Sequence, residues 1–369
     1  MTDSEQYPIT WLDLLVTETC NFNCIYCFHK QVPKHMSVET LDNTLAFLKP
    51  LISEKCLFNF FGGEPLLRVD FVRDAAKKIR ALYPKCRFHI STNMSVCSEE
   101  VIEFAKEYLG HCALQISYDG VDQEKHRGHS DLVRSNIKKC IERLGTESVT
   151  ARLTYTRESI GNLYDSMVDI YELGFRMAMH SAEYMLGWTK EHFDAYEAQL
   201  SKIYEFVAAH PEFKVKFADC NLAVKKSSIS KCGMGQALLS ISSDGKIFPC
   251  HRAVAHPELS IGDVNAGKLN RGGFIEMNCD KCTSCEARNA CHNCMISSYC
   301  YSKSLREPLE CVCELNKIEF RKASEEYKKI HGDDVLADRA LTSAYQVLSD
   351  VYESNVELTT LLKGITDAR

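Results

Sequence analysis

The sequence predicts an α/β fold, a partial (β/α)6 barrel followed by a cysteine-rich segment and C-terminal helices. Three observations carry that prediction. Apolar strand-like runs alternate with stretches of helical spacing through the first half of the chain. Polar motifs repeatedly follow the ends of those runs. The 19 cysteines are distributed unevenly and crowd between Cys279 and Cys313.

Six β/α units can be read in order. Trp11 to Val16 is the first strand, and Ser37 to Leu51 the first helix, with Ser37 as N-cap and Glu39 close behind. Cys56 to Phe61 and Val69 to Tyr83 form the second unit, Arg87 to Ser91 and Ser98 to Leu109 the third. Ala113 to Ser117 leads to a helix from Asp131 to Leu144, and Val149 to Tyr155 to one from Ile160 to Leu173. A weaker strand, Phe175 to Met179, precedes a long helix from Thr189 to Ala209. Units of this kind make an incomplete barrel or a strongly curved parallel sheet. Beyond Cys220, Leu238 to Ser242 and Lys246 to Phe248 read as a hairpin turning at Asp244-Gly245. From Glu314 the apolar positions through Leu336, Leu341, Tyr345 and Leu348 follow helical spacing.

Composition narrows the class. Apolar content of 45% and charged content of 25% describe a globular protein, and 369 residues suffice for two domains. The net charge of -6 gives no reason to expect a nucleic-acid or acidic-membrane partner. The N-terminus lacks a basic and apolar secretory signal, and no run reaches membrane-spanning length, so a cytoplasmic location is expected. In a reducing compartment disulfides do not persist, and a surplus of thiols points to metal. Cys56, Cys86, Cys97, Cys112 and Cys140 are scattered singly and read as small buried hydrophobes.

The chemistry concentrates where strands end. After the first strand come Cys20, Cys24 and Cys27, spaced to give a four-iron cluster three thiolates and leave one iron open. A zinc site or plain buried cysteines are the other readings, with His29 the nearby rival ligand. Gly62, Gly63 and Glu64 follow the second strand: glycines admit a ligand to the backbone, and the carboxylate suits an ammonium group. Ser91-Thr92-Asn93 ends the third strand. Ser117-Tyr118-Asp119-Gly120 ends the fourth, with Arg127 downstream as a carboxylate clamp. Each is weak alone; together they occupy one edge.

This set resembles the radical S-adenosylmethionine (radical SAM) family. The resemblance implies a partial (β/α)6 TIM barrel, with Cys20, Cys24 and Cys27 as cluster ligands and Tyr26 meeting the adenine. It assigns Gly62, Gly63 and Glu64 to the methionyl amine, and Ser117 and Arg127 to the ribose and carboxylate of S-adenosyl-L-methionine. Asn93 falls in the family's Thr-Asn-Gly-like strand end, where Met94 replaces the usual glycine. Homolysis of the bound sulfonium would give a 5′-deoxyadenosyl radical able to abstract an unactivated hydrogen.

The later cysteines resemble the SPASM extension of peptide-modifying members, which carries two auxiliary 4Fe-4S clusters. By that pattern Cys232, Cys250 and Cys294 serve the first, with Cys220 or Cys300 able to complete it. Cys282, Cys285, Cys291 and Cys313 serve the second. Taken alone, Cys282 to Cys294 is equally a zinc ribbon, and Cys291, Cys294 and Cys300 repeat the same spacing in a second register. Cys279, Cys300 and Cys311 are left over. Sulfatase maturases carry a further cysteine after the equivalent of Cys232 and an aspartate after that of Cys250. This chain has neither, and His251 stands in the second place.

The expected architecture is a radical SAM barrel over 1–215, a SPASM domain over 216–316 and a helical extension over 317–369. The expected activity is maturation of a ribosomally made, cysteine-containing precursor peptide (RiPP), forming a thioether, with His251 as proton acceptor. Carbon–carbon crosslinking, epimerisation or side-chain oxidation are the alternatives, and a non-catalytic zinc-binding protein is the rival of another class. A flavodoxin or ferredoxin is the expected electron donor. The start close to strand one suggests a separate leader-recognition protein.

Overall fold

The computed structural model describes residues 8–29, 31–183, 187–216, 233–271, 280–287, 291 and 294–331. Its first elements are β1 (Ile9–Thr17), α1 (Val38–Leu48), β2 (Ile52–Gly62), α2 (Val69–Leu82), β3 (Arg87–Thr92) and α3 (Glu99–Tyr108). Next come β4 (Leu114–Ser117), a short α4 (Gln123–His126), α5 (Ser130–Leu144), β5 (Val149–Tyr155), α6 (Leu163–Glu172), β6 (Met177–Ala182) and α7 (Lys190–Ala209). The second part adds β7 (Lys214–Val215), β8 (Leu238–Ile241), β9 (Lys246–Phe248), β10 (Gly262–Asp263) and β11 (Lys268–Leu269). Three helices follow: α8 (Asp280–Thr283), α9 (Met295–Ser302) and α10 (Glu310–His331).

One sheet holds all the strands, in the order β11-β10-β9-β8-β1-β2-β3-β4-β5-β6-β7. From β1 to β7 every neighbouring pair is parallel, as crossover helices require. β8 joins the other side of β1 in parallel, pairing Asp13 with Ser240, and β9 to β11 return as antiparallel strands. The sheet therefore runs without a break across the expected 215/216 boundary.

Strand alternation divides the side chains. Leu12, Leu14 and Val16 of β1 are fully buried and share the main core with Phe58, Phe60, Phe88, Ile90, Leu153 and the apolar faces of α1 to α3 and α5 to α7. Phe60 stacks on Phe88 with centroids 5.8 Å apart. The intervening residues Asp13, Asn59, His89, Gln115, Arg152 and Ser240 belong to the opposite, polar face, which lines the lumen of the curved sheet. Ser37 and Ser98 cap α1 and α3, each accepting a backbone N–H.

The six expected units are present with shifted ends. Strand six begins later than Phe175, because Gly174 at φ +110° and the Phe175 N–H bonded to Ile170 O still belong to the close of α6. Ladder pairing starts at Met177, opposite Lys214. The short β7, β10 and β11 have no periodicity to betray them. The hairpin turn is as read, with Gly245 at φ +88°. Positions 336–348 lie outside the described residues.

Helix α10 packs on α7, where the Tyr196 hydroxyl donates to Glu319 at 2.6 Å and Lys322 pairs with Glu197 at 3.6 Å. Burial lifts the Glu319 carboxyl to about 7, the Tyr196 hydrogen bond opposing it. A raised carboxyl pKa favours folding in acid, so this contribution is fully present below the unfolded value and is lost as pH rises through about 7. Glu319→Gln should remove a loss on the order of 3 kcal/mol between pH 5 and 8. Anaerobic thermal melts of both proteins across that range check it.

Candidate functional site

The loop after β1 and the turn after β2 are joined by main-chain bonds. The Gly63 N–H donates to Thr17 O at 2.8 Å and the Glu64 N–H to Thr19 O at 2.9 Å. Close approach dictates the glycines. A Cβ on Gly62 would sit 2.0 Å from Thr17 O, and one on Gly63 2.2 Å from Thr19 O. Glu64 is completely buried and accepts from Leu66 N at 3.0 Å, Thr92 Oγ1 at 2.7 Å and Asn93 N at 2.6 Å. Burial pushes its carboxyl up to about 7 against those donors. It pins the ends of β2 and β3 together.

Asn93 extends the link, donating to Asn21 Oδ1 at 3.1 Å and toward Cys20 Sγ at 3.7 Å. Met94 is buried at φ +58°, the left-handed region that favours glycine. The fold thus demands the conformation that the family's glycine supplies.

Cys20 and Cys24 are half-buried and Cys27 is exposed. Burial pushes the Cys20 thiol up to about 11, with Glu64, Cys24 and Cys27 adding to the rise. Burial also raises Cys24, and Arg127 opposes it. Three thiols whose charges feel one another are the donor set a shared iron–sulfur cluster requires, since its iron would offset that repulsion. Among the described residues no three His, Cys, Asp or Glu side chains are grouped to hold a single metal ion.

At the end of β4, Asp119 is a hub. It is buried and takes Arg127 Nε at 2.9 Å and Nη2 at 3.2 Å, His126 Nδ1 at 3.2 Å, Thr154 N at 2.9 Å and the Tyr26 hydroxyl. Burial would raise its pKa, but Arg127 and the hydrogen bonds outweigh it and hold the carboxylate ionised. Arg127 also lies over the Tyr26 ring, 5.1 Å from the centroid. Tyr26 and Arg127 are therefore together, with the guanidinium already bidentate on a protein carboxylate. Ser117, half-buried, pairs in register with Arg152 of β5.

His251 lies just past β9, its Nδ1 3.0 Å from Asp13 Oδ2. Asp13 is buried and also accepts from Trp11 Nε1, Asn59 Nδ2 and Ser240 Oγ at 2.8, 2.8 and 2.7 Å. Burial alone would raise its pKa; His251, Asn59 and Ser240 reverse that. The His251 ring packs against Phe61 with centroids 4.6 Å apart, and Phe28 of the cysteine loop is 6.2 Å away. The second part of the chain thus reaches the mouth of the first. Asp13 was not among the residues picked from the sequence, although a lone acid inside Trp11 to Val16 was its signal.

The later thiols fall into two neighbourhoods. Cys250 and Cys294 flank the small core of Met234, Phe248, Ala253, Leu259 and Ile296. Burial would raise the Cys294 pKa, but Arg252 and Ser297 bring it down. Cys300 feels the charge of Cys294, and its Sγ is 3.1 Å from His256 Nε2. Burial pushes Cys313 up to about 11, with Cys291 and Cys285 adding to it, and the Cys285 N–H bonds Cys282 O at 3.3 Å. Cys311 is buried in the same helix and feels the charge of Cys313. Cys220, Cys232 and Cys279 lie outside the described residues.

Residues 14–165 match the Radical SAM superfamily. The chain is 21% identical over 372 residues to the radical SAM cyclopropyl synthase TigE of Paramaledivibacter caminithermalis, covering 88% of this chain and 76% of that protein. An uncharacterized protein of Methanocaldococcus jannaschii is 32% identical over 114 residues, which is 30% of this chain. The first two curated relatives are matched over only 39% and 66% of their own lengths. Among solved structures, anSMEcpe with bound AdoMet aligns with a TM-score of 0.71 at 17% identity, over 89% of this chain and 97% of that one. SuiB of Streptococcus suis bound to its precursor peptide SuiA gives 0.61 at 16% identity, over 83% and 76%. The chain carries a radical SAM domain over residues 14–165, set in a fold it shares along most of its length with anSMEcpe and SuiB.

Proposed function

We propose that this protein is a peptide maturase that forms a thioether in a ribosomally made, cysteine-containing substrate. The observation that carries the reading is the convergence at one sheet edge. The cysteine loop, the Gly62-Gly63-Glu64 turn and the Tyr26–Asp119–Arg127 group meet there, and a second thiol-rich segment places His251 at the same mouth. A radical SAM domain implies S-adenosylmethionine and a 4Fe-4S cluster, which when bound supply a 5′-deoxyadenosyl radical for hydrogen abstraction. Cys20, Cys24 and Cys27 would hold that cluster. Tyr26, Gly62, Gly63, Glu64, Asn93, Ser117 and Arg127 would surround the cofactor.

Two auxiliary 4Fe-4S clusters belong to the same proposal. Cys232, Cys250 and Cys294 would hold one, and Cys282, Cys285, Cys291 and Cys313 the other. Cys300, which feels the charge of Cys294, or Cys220 would supply a fourth ligand. The division into 1–215, 216–316 and 317–369 is kept as a functional one.

The protein's own residues then divide the work. His251, oriented through Nδ1 by Asp13, presents its other nitrogen to accept the substrate thiol proton. Phe28 and Phe61 flank that imidazole and limit its orientations. The balance is simple: one C–H and one S–H are lost and one C–S bond forms. The hydrogen atom goes to the adenosyl carbon and the proton to His251. One electron returns to a redox partner of the flavodoxin or ferredoxin type. SuiB bound to SuiA and anSMEcpe bound to the Cp18Cys peptide support a peptide as substrate class. Among the described residues no helix is long and apolar enough to cross a membrane, in keeping with a cytoplasmic location.

The likeness to TigE favours a second outcome, a carbon–carbon bond within the substrate. Epimerisation and side-chain oxidation share the same first step.

Replacing Cys20, Cys24 and Cys27 together by alanine should abolish 5′-deoxyadenosine formation and remove about four of twelve irons per chain. Anaerobic product analysis with iron and sulfide counts checks this, and stoichiometric zinc in place of iron would reject the cluster assignment. With candidate precursor peptides, the thioether reading expects a product two mass units lighter whose thiol no longer alkylates. Equal mass loss with the thiol still alkylatable would instead select the carbon–carbon outcome.

A further inference from the structure

Arg152 is a cation on the polar face of the sheet, and among the described residues Asp13 is the acid whose charge reaches it. On β5 it alternates with Ala151 and Leu153, which lie in the core, so its side chain enters the lumen. It is exposed to water there, yet enough protein encloses it that burial is the first cause lowering its pKa, followed by the nearby charge of Arg252. Among the described residues no carboxylate forms an ion pair with it. Asp13 is close enough to be felt, but its oxygens are occupied by Trp11, Asn59, Ser240 and His251.

The guanidinium is held rather than loose. Arg152 Nη1 donates to Gln115 Oε1 at 2.6 Å, and Gln115 Nε2 lies 3.1 Å from His89 Nδ1. Burial keeps His89 neutral, its pKa down to about 4, so that ring nitrogen stays available as the acceptor. The His89 ring in turn meets Trp11 edge-on at 5.9 Å. Three consecutive strands thus hold one guanidinium fork in position, and among the described residues Gln115 is its hydrogen-bond partner. Arg252 is itself fixed by Ser297 Oγ at 2.6 Å and by the Phe28 ring, 5.4 Å from its centroid. Arg252 also reaches toward Cys294 Sγ at 3.9 Å, and its charge is felt at Arg152.

We propose that Arg152 anchors a carboxylate of the peptide substrate inside the lumen, on the side that faces Arg252. The carboxylate is an acidic side chain near the reacting residue or a free C-terminus. A planar two-oxygen group matches the guanidinium fork, which a lysine could not reproduce. The inference rests on the peptide-modifying reading and adds to it the charge of the substrate at the reacting end.

The test uses reconstituted holoenzyme under anaerobic conditions, with S-adenosylmethionine present. Three probe peptides are dialysed to equilibrium and counted by mass spectrometry: acetyl-Gly-Ala-Glu-Cys-Ala-Gly-amide, its Gln counterpart, and the Gln peptide with a free C-terminal carboxylate. The wild type should retain one carboxylate peptide about tenfold more strongly than the Gln amide. Which one it retains names the source. Arg152→Gln should erase that preference while S-adenosylmethionine affinity stays within twofold, and Arg152→Lys should keep a part of it. If Arg152→Gln does not fold, the lysine variant alone must fall between wild type and no preference. A wild type indifferent to the carboxylate, or a preference that survives Arg152→Gln, overturns the proposal. So does a variant whose defect is in cofactor binding. Failure of the wild type to bind S-adenosylmethionine would instead strike the parent reading, which the peptide counts do not address.

Discussion

One buried carboxylate ties this molecule together. Asp13 sits in the middle of β1, fully removed from water, and is satisfied by β1 itself through Trp11, by β2 through Asn59, by β8 through Ser240 and by His251 beyond β9. A charge in that position is tolerable only when every lone pair is occupied. Its four donors come from both parts of the chain. The parallel pairing of β1 with β8 and the placement of His251 at the mouth are therefore one arrangement, stabilised from a single point.

The polar face of the sheet follows from the same logic. Each strand gives its alternate residues to the apolar core, and the remainder form a belt from Asp13 to Arg152. Hydrogen bonds join Trp11 to Asp13, Gln115 to His89 and Arg152 to Gln115, and an edge-on ring contact joins Trp11 to His89. Above that belt, at the strand ends, glycines and a buried glutamate allow backbones to meet closely, while Asp119 gathers a tyrosine, a histidine and an arginine. Rigid positioning is the common property, and it suits chemistry in which a reactive species must meet one hydrogen and no other.

Much of this was legible in the residues. The alternation of apolar runs with helical spacing located six β/α units, because each strand and each crossover helix must turn an apolar face to the shared core. The cysteine spacing and the Gly-Gly-Glu turn located the edge, since those residue types have few other reasons to occur together. The missing parts were those whose meaning depends on distant partners. Asp13 looks like an interruption in a strand until Ser240 and His251 are brought to it from the far end of the chain. Two-residue strands such as β7 and β11 are set by neighbours rather than by pattern. Asp119, read only as part of a strand-end motif, turned out to hold Arg127, a pairing that spacing alone does not reveal. Cys313 feels the charges of Cys285 and Cys291, whereas Cys232 lies beyond the described residues.

The two main-chain hydrogen bonds that fasten the glycine turn to the cysteine loop, from Gly63 N–H to Thr17 O and from Glu64 N–H to Thr19 O, carry a thermodynamic corollary. Neither segment can loosen without breaking the ladder that orders its neighbour. Whatever settles on one segment also steadies the other, and by linkage each guest must raise the affinity for its companion by the same factor. Stripping either guest away would accordingly leave both segments more prone to fray.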